Sequence, residues 1–134
     1  MLRFIVDGRP VPAVRQTRTS RYGTDDKRRR AIDRYDAYKD AVGWAAREAG
    51  AHPETQLDGE LYLHATVYVQ RRGTFDGDNV LKSLADGLQG VAFTNDRQIT
   101  DWRLRIVAGG PEDYVRVELG TAAELLASEW DAAE

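Results

Sequence analysis

The sequence predicts an α+β domain with a small β-sheet, two main helices and a short C-terminal helix. Apolar and polar residues alternate from Glu60 to Gln70 and again from Gln98 to Val107, as in half-buried strands. Apolar residues recur at helical spacing from Lys27 to about Gly50 and from about Asp78 to Val91. Because the 134 residues contain no interdomain linker or internal repeat, we expect residues 1–134 to form one domain.

Composition excludes several kinds of site. The chain has no cysteine, which excludes disulfides and thiolate metal sites and fits a cytoplasmic protein. It has no run of 18 apolar residues and no apolar N-terminal segment, so we expect neither a membrane span nor a signal peptide. Its two histidines, His52 and His64, have no third partner in the pattern, which argues against a histidine zinc site.

The net charge of −3 hides a strong asymmetry. Residues 1–48 contain 12 Lys/Arg and 7 Asp/Glu, whereas residues 49–134 contain 7 and 15. The basic part of the chain could contact phosphates, while the acidic part could carry metal ligands and a solvated tail.

The N-terminal segment predicts a strand over Leu2–Val6, after which Pro10 and Pro12 hold the backbone extended. A flexible basic loop is then expected from about residue 13 to residue 29, because small polar residues surround its arginines and little can be buried. Its basic and aromatic residues are Arg15, Arg18, Arg21 and Tyr22. The loop is either a phosphate-binding arm that orders on DNA or an ordinary solvated surface loop.

The first long helix begins with a cluster of positive charges. Lys27, Arg28 and Arg29 lie where they oppose the helix dipole, an arrangement that suits a bound anion or a frayed, hydrated first turn. The apolar stripe that should face the core is Ile32, Tyr35, Tyr38, Val42, Ala45, Ala46 and Ala49. The tyrosines of this stripe are interpreted as core or interface residues.

The strand predicted from Glu60 to Gln70 has one fully apolar face. Its opposite face carries His64, which we interpret as a packed or interface residue and not as a metal ligand. Arg71 and Arg72 then connect the strand to an acidic loop. These two arginines could compensate the loop's negative charge, contact phosphates, or do both at different stages.

The acidic loop predicts the site. Asp76 and Asp78 flank a glycine directly before a helix that we expect to begin at Asp78 or Asn79 and to end near Gly87 and Gly90. Lys82 lies one turn into this helix, and Asp96 lies at the turn that follows it. Carboxylates without cysteine or histidine suit Mg²⁺ or Mn²⁺, although Asp and Asn clusters also mark ordinary turns.

The C-terminal part predicts two strands and a helix. Residues 99, 101, 103 and 105 should face one side of the first strand, and Asp113–Leu119 should return beside it as a hairpin. Thr121 and Glu124 form a capping-box pattern at the start of a helix that reaches about Trp130. Asp101 is either an auxiliary metal ligand or the partner of a basic residue.

One stretch resembles the signature of the RusA family of Holliday junction resolvases. The resembling residues are Asp76-x-Asp78-Asn79-x-x-Lys82-x-x-x-Asp86-Gly-Leu88 and Asn95-Asp96-x-Gln98-Ile99. A weaker similarity covers Phe4–Pro12. Two positions depart from the family's pattern, since Asn95 replaces a frequent acid and Phe75 replaces a basic residue found in some members.

This resemblance implies a RusA-like fold with a mixed sheet and a phage-associated, Mg²⁺-dependent endonuclease that works as an intertwined homodimer. It implies Asp76, Asp78, Lys82 and Asp96 as catalytic residues, with the three aspartates as metal ligands. The substrate would be branched DNA such as a four-way junction, cut by paired nicks that leave 5′-phosphates during recombination and repair. The basic residues expected to contact DNA are Arg15, Arg18, Arg21, Lys27, Arg28, Arg29, Arg71 and Arg72.

Two other functions stay open from the sequence. The chain could be a catalytically inactive protein that binds branched DNA by shape, although intact carboxylates facing phosphates would not help such a protein. An Asp-x-Asp nucleotide-sugar transferase is the other alternative, but the chain is short for that class and has no glycine-rich nucleotide motif. Asp86 would either orient Lys82 or form a surface i,i+4 pair.

Overall fold

The computed structural model describes residues 1–14 and 26–133. The strands are β1 (Leu2–Asp7), β2 (Leu61–Val69), β3 (Ile99–Ala108) and β4 (Tyr114–Thr121). The helices are α1 (Asp26–Glu48), α2 (Gly77–Leu88) and α3 (Ala122–Ala133). Arg15, Arg18, Arg21 and Tyr22 of the expected basic arm lie outside the described residues.

The four strands form one mixed sheet in the order β1-β4-β2-β3. β2 runs parallel to β3, whereas β4 is antiparallel to both β1 and β2. Three helices and one four-stranded mixed sheet confirm the expected α+β fold. The C-terminal helix α3, expected to be short, has 12 residues and is as long as α2.

The predicted β3–β4 hairpin is wrong, because β2 lies between the two strands. The connection passes over the end of β2 and is fixed there by three hydrogen bonds. Gly109 N donates to Val69 O at 2.9 Å, Gln70 N donates to Asp113 Oδ1 at 2.7 Å, and Gln70 Nε2 donates to Pro111 O. The fully apolar face of β2 favours this central position, where both neighbours help to bury it.

The predicted side assignment of β3 fails at one residue. Leu61 pairs with Ile99, but the next residue of β2, Tyr62, pairs with Asp101, so Thr100 is an extra residue in the ladder. An extra residue in one strand changes the sheet face to which the side chains on either side of it point. Ile99 therefore points into the core, whereas Asp101 points to the opposite face of the sheet.

The core lies between one face of the sheet and helices α1 and α2. The β2 residues of the predicted apolar face are all buried there with apolar residues of both helices. These residues are Leu61, Leu63, Ala65, Val67, Val69, Tyr38, Val42, Ala46, Val80, Leu84 and Leu88. The interpretation of Tyr35 and Tyr38 as core residues is confirmed, since each is less than 10% exposed.

Helices α1 and α2 approach unusually closely at a pair of glycines. A Cβ built on Gly87 would lie 2.8 Å from both Lys39 O and Val42 Cβ, and one on Gly43 would lie 3.3 Å from Gly87 O. Glycine is unfavourable inside a helix by about 1 kcal/mol, so its presence at this contact reflects the need for close backbone approach. The crossing fixes the position of α2 against α1.

The first two predicted helices agree with the structure within one or two residues at each end. α1 runs over Asp26–Glu48, and α2 begins at Gly77 and ends at Leu88, between Gly87 and Gly90. The one correction concerns the basic loop, which was expected to reach about residue 29, because Lys27, Arg28 and Arg29 already belong to α1.

The C-terminal helix begins as expected. Thr121 N donates to Glu124 Oε1 at 3.1 Å, and Glu124 N donates to Thr121 Oγ1 at 3.2 Å, which confirms the capping box. Across the residues that the structure covers, no helix combines the length and apolarity needed to cross a membrane.

Candidate active site

The first aspartate of the acidic loop caps α2. Asp76 Oδ1 accepts hydrogen bonds from Asp78 N at 2.9 Å and from Asn79 N at 3.4 Å, which makes Asp76, and not Asp78 or Asn79, the N-cap. The Asp78 carboxylate is exposed and makes no hydrogen bond or ion pair with another described residue. Asp78 therefore offers a free carboxylate beside a capping one.

Lys82 lies between two carboxylates. Its Nζ is 2.8 Å from Asp86 Oδ1, one turn further along α2, and 3.1 Å from Asp96 Oδ2. Hydrogen bonding to Asp86, and then to Asp96, raises the pKa of Lys82 above its ordinary value although partial burial opposes this. The ammonium group is therefore charged at neutral pH and paired with both carboxylates, and its contact with Asp86 is the expected i,i+4 pair.

Asp96 is positioned by the turn between α2 and β3. Asn95 caps a short 3-10 turn over Asp96–Gln98: its Oδ1 accepts from Arg97 N at 2.9 Å, and its own N–H donates to Gln98 Oε1 at 3.1 Å. The Asp96 N–H donates to Gln89 Oε1 at 3.1 Å, which connects the turn to the end of α2. This local frame brings Asp96 to Lys82 from fourteen residues further along the chain.

Tyr35 of α1 belongs to the same cluster, although its position in the apolar stripe predicted only a core or interface residue. Its hydroxyl donates to Asp86 Oδ2, while Asp86 Oδ1 accepts from Lys82. Burial, and then the hydrogen bond to Asp86, raise the pKa of Tyr35 well above its ordinary value, so this hydroxyl stays protonated as a donor. One feature of the sequence could have suggested this contact. Two glycines within predicted helices, Gly43 and Gly87, allow the helices to approach closely.

The loop before Asp76 is held by Arg9, a second residue that sequence reasoning missed. The Arg9 guanidinium donates to Arg71 O at 2.9 Å and to Arg72 O at 3.0 Å. The Arg9 and Arg72 guanidinium groups lie 5.0 Å and 4.8 Å from the centre of the Phe75 ring. Arg9, Arg71 and Arg72 are exposed and form no ion pair with a carboxylate of residues 1–14 or 26–133, so their charge is available to an anion.

The root of the expected basic arm also lies at the site. Ala13 N donates to Asn79 O at 3.0 Å, which attaches the segment after Pro12 to the start of α2. The chain is next described at Asp26, where Lys27, Arg28 and Arg29 lie exposed in the first turn of α1. The described residues thus place the beginning of the arm beside Asp78.

Asp101 faces away from this cluster. Its Oδ1 lies 2.8 Å from His64 Nε2 and 3.0 Å from Arg103 Nε, on the sheet face opposite α1 and α2. Asp101 is therefore the partner of basic residues, and His64 is a packed residue as interpreted.

A model of the family described as Endodeoxyribonuclease RusA matches residues 7–119 of the chain. The chain belongs to the RusA family. No individually curated protein matches it. The RusA match covers every element that builds the cluster, from Arg9 through α1 and α2 to Asp96, and it confirms the resemblance inferred from the acidic loop. Members of this family are Holliday junction endodeoxyribonucleases.

The donor atoms at this RusA site suit a hard divalent cation. Asp76, Asp78 and Asp96 offer only oxygen, which is the ligand type of Mg²⁺ and Mn²⁺. Within the described ranges, no three acidic or histidine side chains already converge on one point. A cation bound by all three aspartates therefore requires side chains to turn from the conformations seen here, as the exposed Asp78 is free to do.

Proposed function

We propose that this RusA-family protein is a Mg²⁺-dependent endodeoxyribonuclease that resolves Holliday junctions by paired phosphodiester nicks during DNA recombination and repair. Support comes from the family match over residues 7–119 together with the arrangement around Lys82. Mn²⁺ would serve in place of Mg²⁺, because it takes the same oxygen ligands.

The observation that carries the proposal is the ammonium group of Lys82 between Asp86 and Asp96. Hydrolysis of a phosphodiester develops negative charge on the non-bridging oxygens and the leaving group, and a fixed cation lowers the energy of that state. A lysine that is already bonded to two carboxylates loses little freedom when the phosphate arrives. Lys82 would then stabilise the charge that develops during cleavage.

Asp76, Asp78 and Asp96 would hold the divalent cation, which would polarise the phosphate and lower the pKa of a bound water. In the chain itself, Asp78 is free to turn towards an incoming cation. Asp96 uses Oδ2 for Lys82, so Oδ1 would be the atom available for ligation. Asp76 would keep its capping role through Oδ1 and offer Oδ2, whose only described contact is a long one of 3.4 Å to Asn79 Nδ2.

Basic residues on both sides of the acidic loop would bind phosphates of the DNA backbone. Arg71 and Arg72 precede the loop, and Arg9 holds the conformation of the segment that carries them. Lys27, Arg28 and Arg29 would bind phosphates from the first turn of α1, and Arg15, Arg18 and Arg21 would do so from the arm. Such contacts give affinity that falls with salt and carries no sequence preference.

Paired nicks require two sites, so we propose that the protein acts as a homodimer. A four-way junction presents two symmetry-related strands, and a two-fold symmetric dimer matches that symmetry. Sedimentation of the purified protein with and without junction DNA would test this part separately from cleavage.

The proposed function is tested with an end-labelled synthetic four-way junction, incubated with Mg²⁺ or with EDTA. Wild-type protein should introduce symmetric nicks only with the metal, and Asp78→Asn should bind the junction without cutting it. Plain duplex of the same sequence is the control for branched structure. Equal cutting in EDTA, or equal cutting of the duplex, would contradict the proposal.

A second candidate is an inactive protein that binds branched DNA by shape. The observation in its favour is that the acidic side chains of the described residues do not already converge on one point. Tight binding of the junction by the wild-type protein, with no nick under Mg²⁺ or Mn²⁺, would select this alternative.

A further inference from the structure

Two helices that are distant in sequence meet at the proposed catalytic lysine. Asp86 is the common partner: one of its oxygens accepts from Lys82 Nζ at 2.8 Å and the other accepts from the buried hydroxyl of Tyr35, 51 residues earlier. Tyr35 is 4% exposed and lies on α1, whereas Lys82 and Asp86 lie on α2.

We propose that Tyr35 is a positioning residue, which fixes the carboxylate of Asp86 from α1 and thereby holds Lys82 at the reacting phosphate. This inference rests on the proposed function of Lys82. A carboxylate on a helix surface can rotate, and with it the lysine that it binds. Bonding both oxygens of Asp86, one to each helix, leaves the carboxylate a single orientation.

The helix crossing supports a specific role for this contact. Gly87 directly follows Asp86, and its lack of a side chain lets α2 approach Lys39 O and Val42 of α1. The close approach lets a tyrosine hydroxyl from α1 reach Asp86. The Lys39 ammonium lies over the Tyr35 ring, 4.3 Å from its centre.

The same helix supplies a matched control. Tyr38 is also buried, at 6% exposed, but its hydroxyl has no hydrogen-bond partner among the described residues. Tyr38→Phe and Tyr35→Phe therefore each delete one buried hydroxyl from α1, and only the second removes a bond to Asp86. Any effect of losing a hydroxyl as such appears in both variants.

The first readout does not depend on DNA cleavage. Lysine occurs only at positions 27, 39 and 82, so the ammonium signals in ¹⁵N-edited NMR spectra are few, and Lys82→Arg identifies the one from Lys82. We expect this signal to be the same in wild type and Tyr38→Phe, and to move towards that of a free lysine in Tyr35→Phe. An unchanged Lys82 signal in Tyr35→Phe would overturn the positioning role, even if the protein proved not to cut DNA.

The second readout is cleavage of the four-way junction. Tyr35→Phe should lower kcat about tenfold, the factor expected for one hydrogen bond to a charged group, while junction affinity in EDTA stays unchanged. Tyr38→Phe should cut like wild type. If both variants lose activity equally, or if Tyr35→Phe changes only affinity, the inference fails.

Asp86→Asn keeps the inference testable if Tyr35→Phe folds poorly, because it weakens the same hydrogen bonds from the other side. The double variant Tyr35→Phe/Asp86→Asn should be no slower than Asp86→Asn alone, since Tyr35 acts only through Asp86. Additive losses would show that Tyr35 acts by another route and would overturn the proposal. Failure of wild-type cleavage would instead count against the proposed function, while the NMR result would still decide the role of Tyr35.

Discussion

Lys82 Nζ lies 3.1 Å from Asp96 Oδ2, so the middle of α2 is joined by an ion pair to the turn that leads into β3. One oxygen of Asp96 is thus paired with Lys82, and the other is the atom proposed above for metal ligation. The two carboxylates at the start of α2 also differ, because Asp76 caps the helix whereas the Asp78 carboxylate has no partner among the described residues.

Asp76 should contribute to the stability of the fold, whereas Asp78 should contribute only to function. Asp76→Ala should lower the free energy of unfolding by about 1 kcal/mol, because two backbone N–H groups lose their acceptor. Asp76→Asn should retain the cap, and Asp78→Ala should leave stability unchanged. Urea unfolding measures all three variants, and a destabilised Asp78→Ala would contradict the assignment.

Asp101 should contribute to acid stability but not to cleavage. The hydrogen bond from His64, and then that from Arg103, lower the pKa of Asp101 below its ordinary value. A lowered folded-state pKa gives stability that is present above the ordinary value, near pH 4, and is lost as the pH falls through the folded-state pKa. The melting temperature of Asp101→Asn should therefore lie below that of wild type at pH 6 and approach it towards pH 3.

The control for Asp101 is activity. Junction cleavage by Asp101→Asn should match wild type, since this side chain lies on the sheet face opposite the helices. A loss of cutting as large as that of Asp78→Asn would instead assign Asp101 to the metal.

Gly87→Ala should destabilise the protein in spite of the better helix propensity of alanine. The new methyl group would meet Lys39 O and Val42 Cβ at 2.8 Å, and overpacking of this kind costs about 1–3 kcal/mol. The methyl group of Gly43→Ala would lie 3.3 Å from Gly87 O and 3.8 Å from Val91 Cγ2, so this variant should have a smaller effect. Urea unfolding of both variants checks this order, and equal stabilities would contradict it.

Arg71 and Arg72 should contribute non-specific phosphate contacts. Each alanine variant should weaken junction binding and reduce the slope of log Kd against log salt by about 1, as expected for one lost phosphate contact. Arg116→Ala is the control, because Arg116 is exposed on β4 and lies away from the acidic loop. Fluorescence anisotropy in EDTA over a salt series measures the slope; no difference between Arg71→Ala and Arg116→Ala would count against the contact.

The sequence predicted best what depends on neighbouring residues. The apolar face of β2, the helical pairing of Lys82 with Asp86 and the capping box at Thr121 all follow from local spacing. The prediction failed where contacts between distant segments determine the structure. No local pattern near Thr100 indicates the extra residue in the β2–β3 ladder. The contact between Tyr35 and Asp86 depends on how closely two helices cross, which their individual patterns do not specify.

The path of the chain through the sheet has a consequence for synthesis. Among the described residues, β1 pairs only with β4. The pair of Leu2 with Leu119 therefore cannot form until β4 has been synthesised. When α2 and Asp96 have been synthesised, β1 and β2 both still lack their common neighbour, because β4 lies between them in the sheet. Long-range pairing of this kind folds slowly and leaves edges open to other chains. The sheet that supports α1 and α2 is therefore completed only after β4 has been translated.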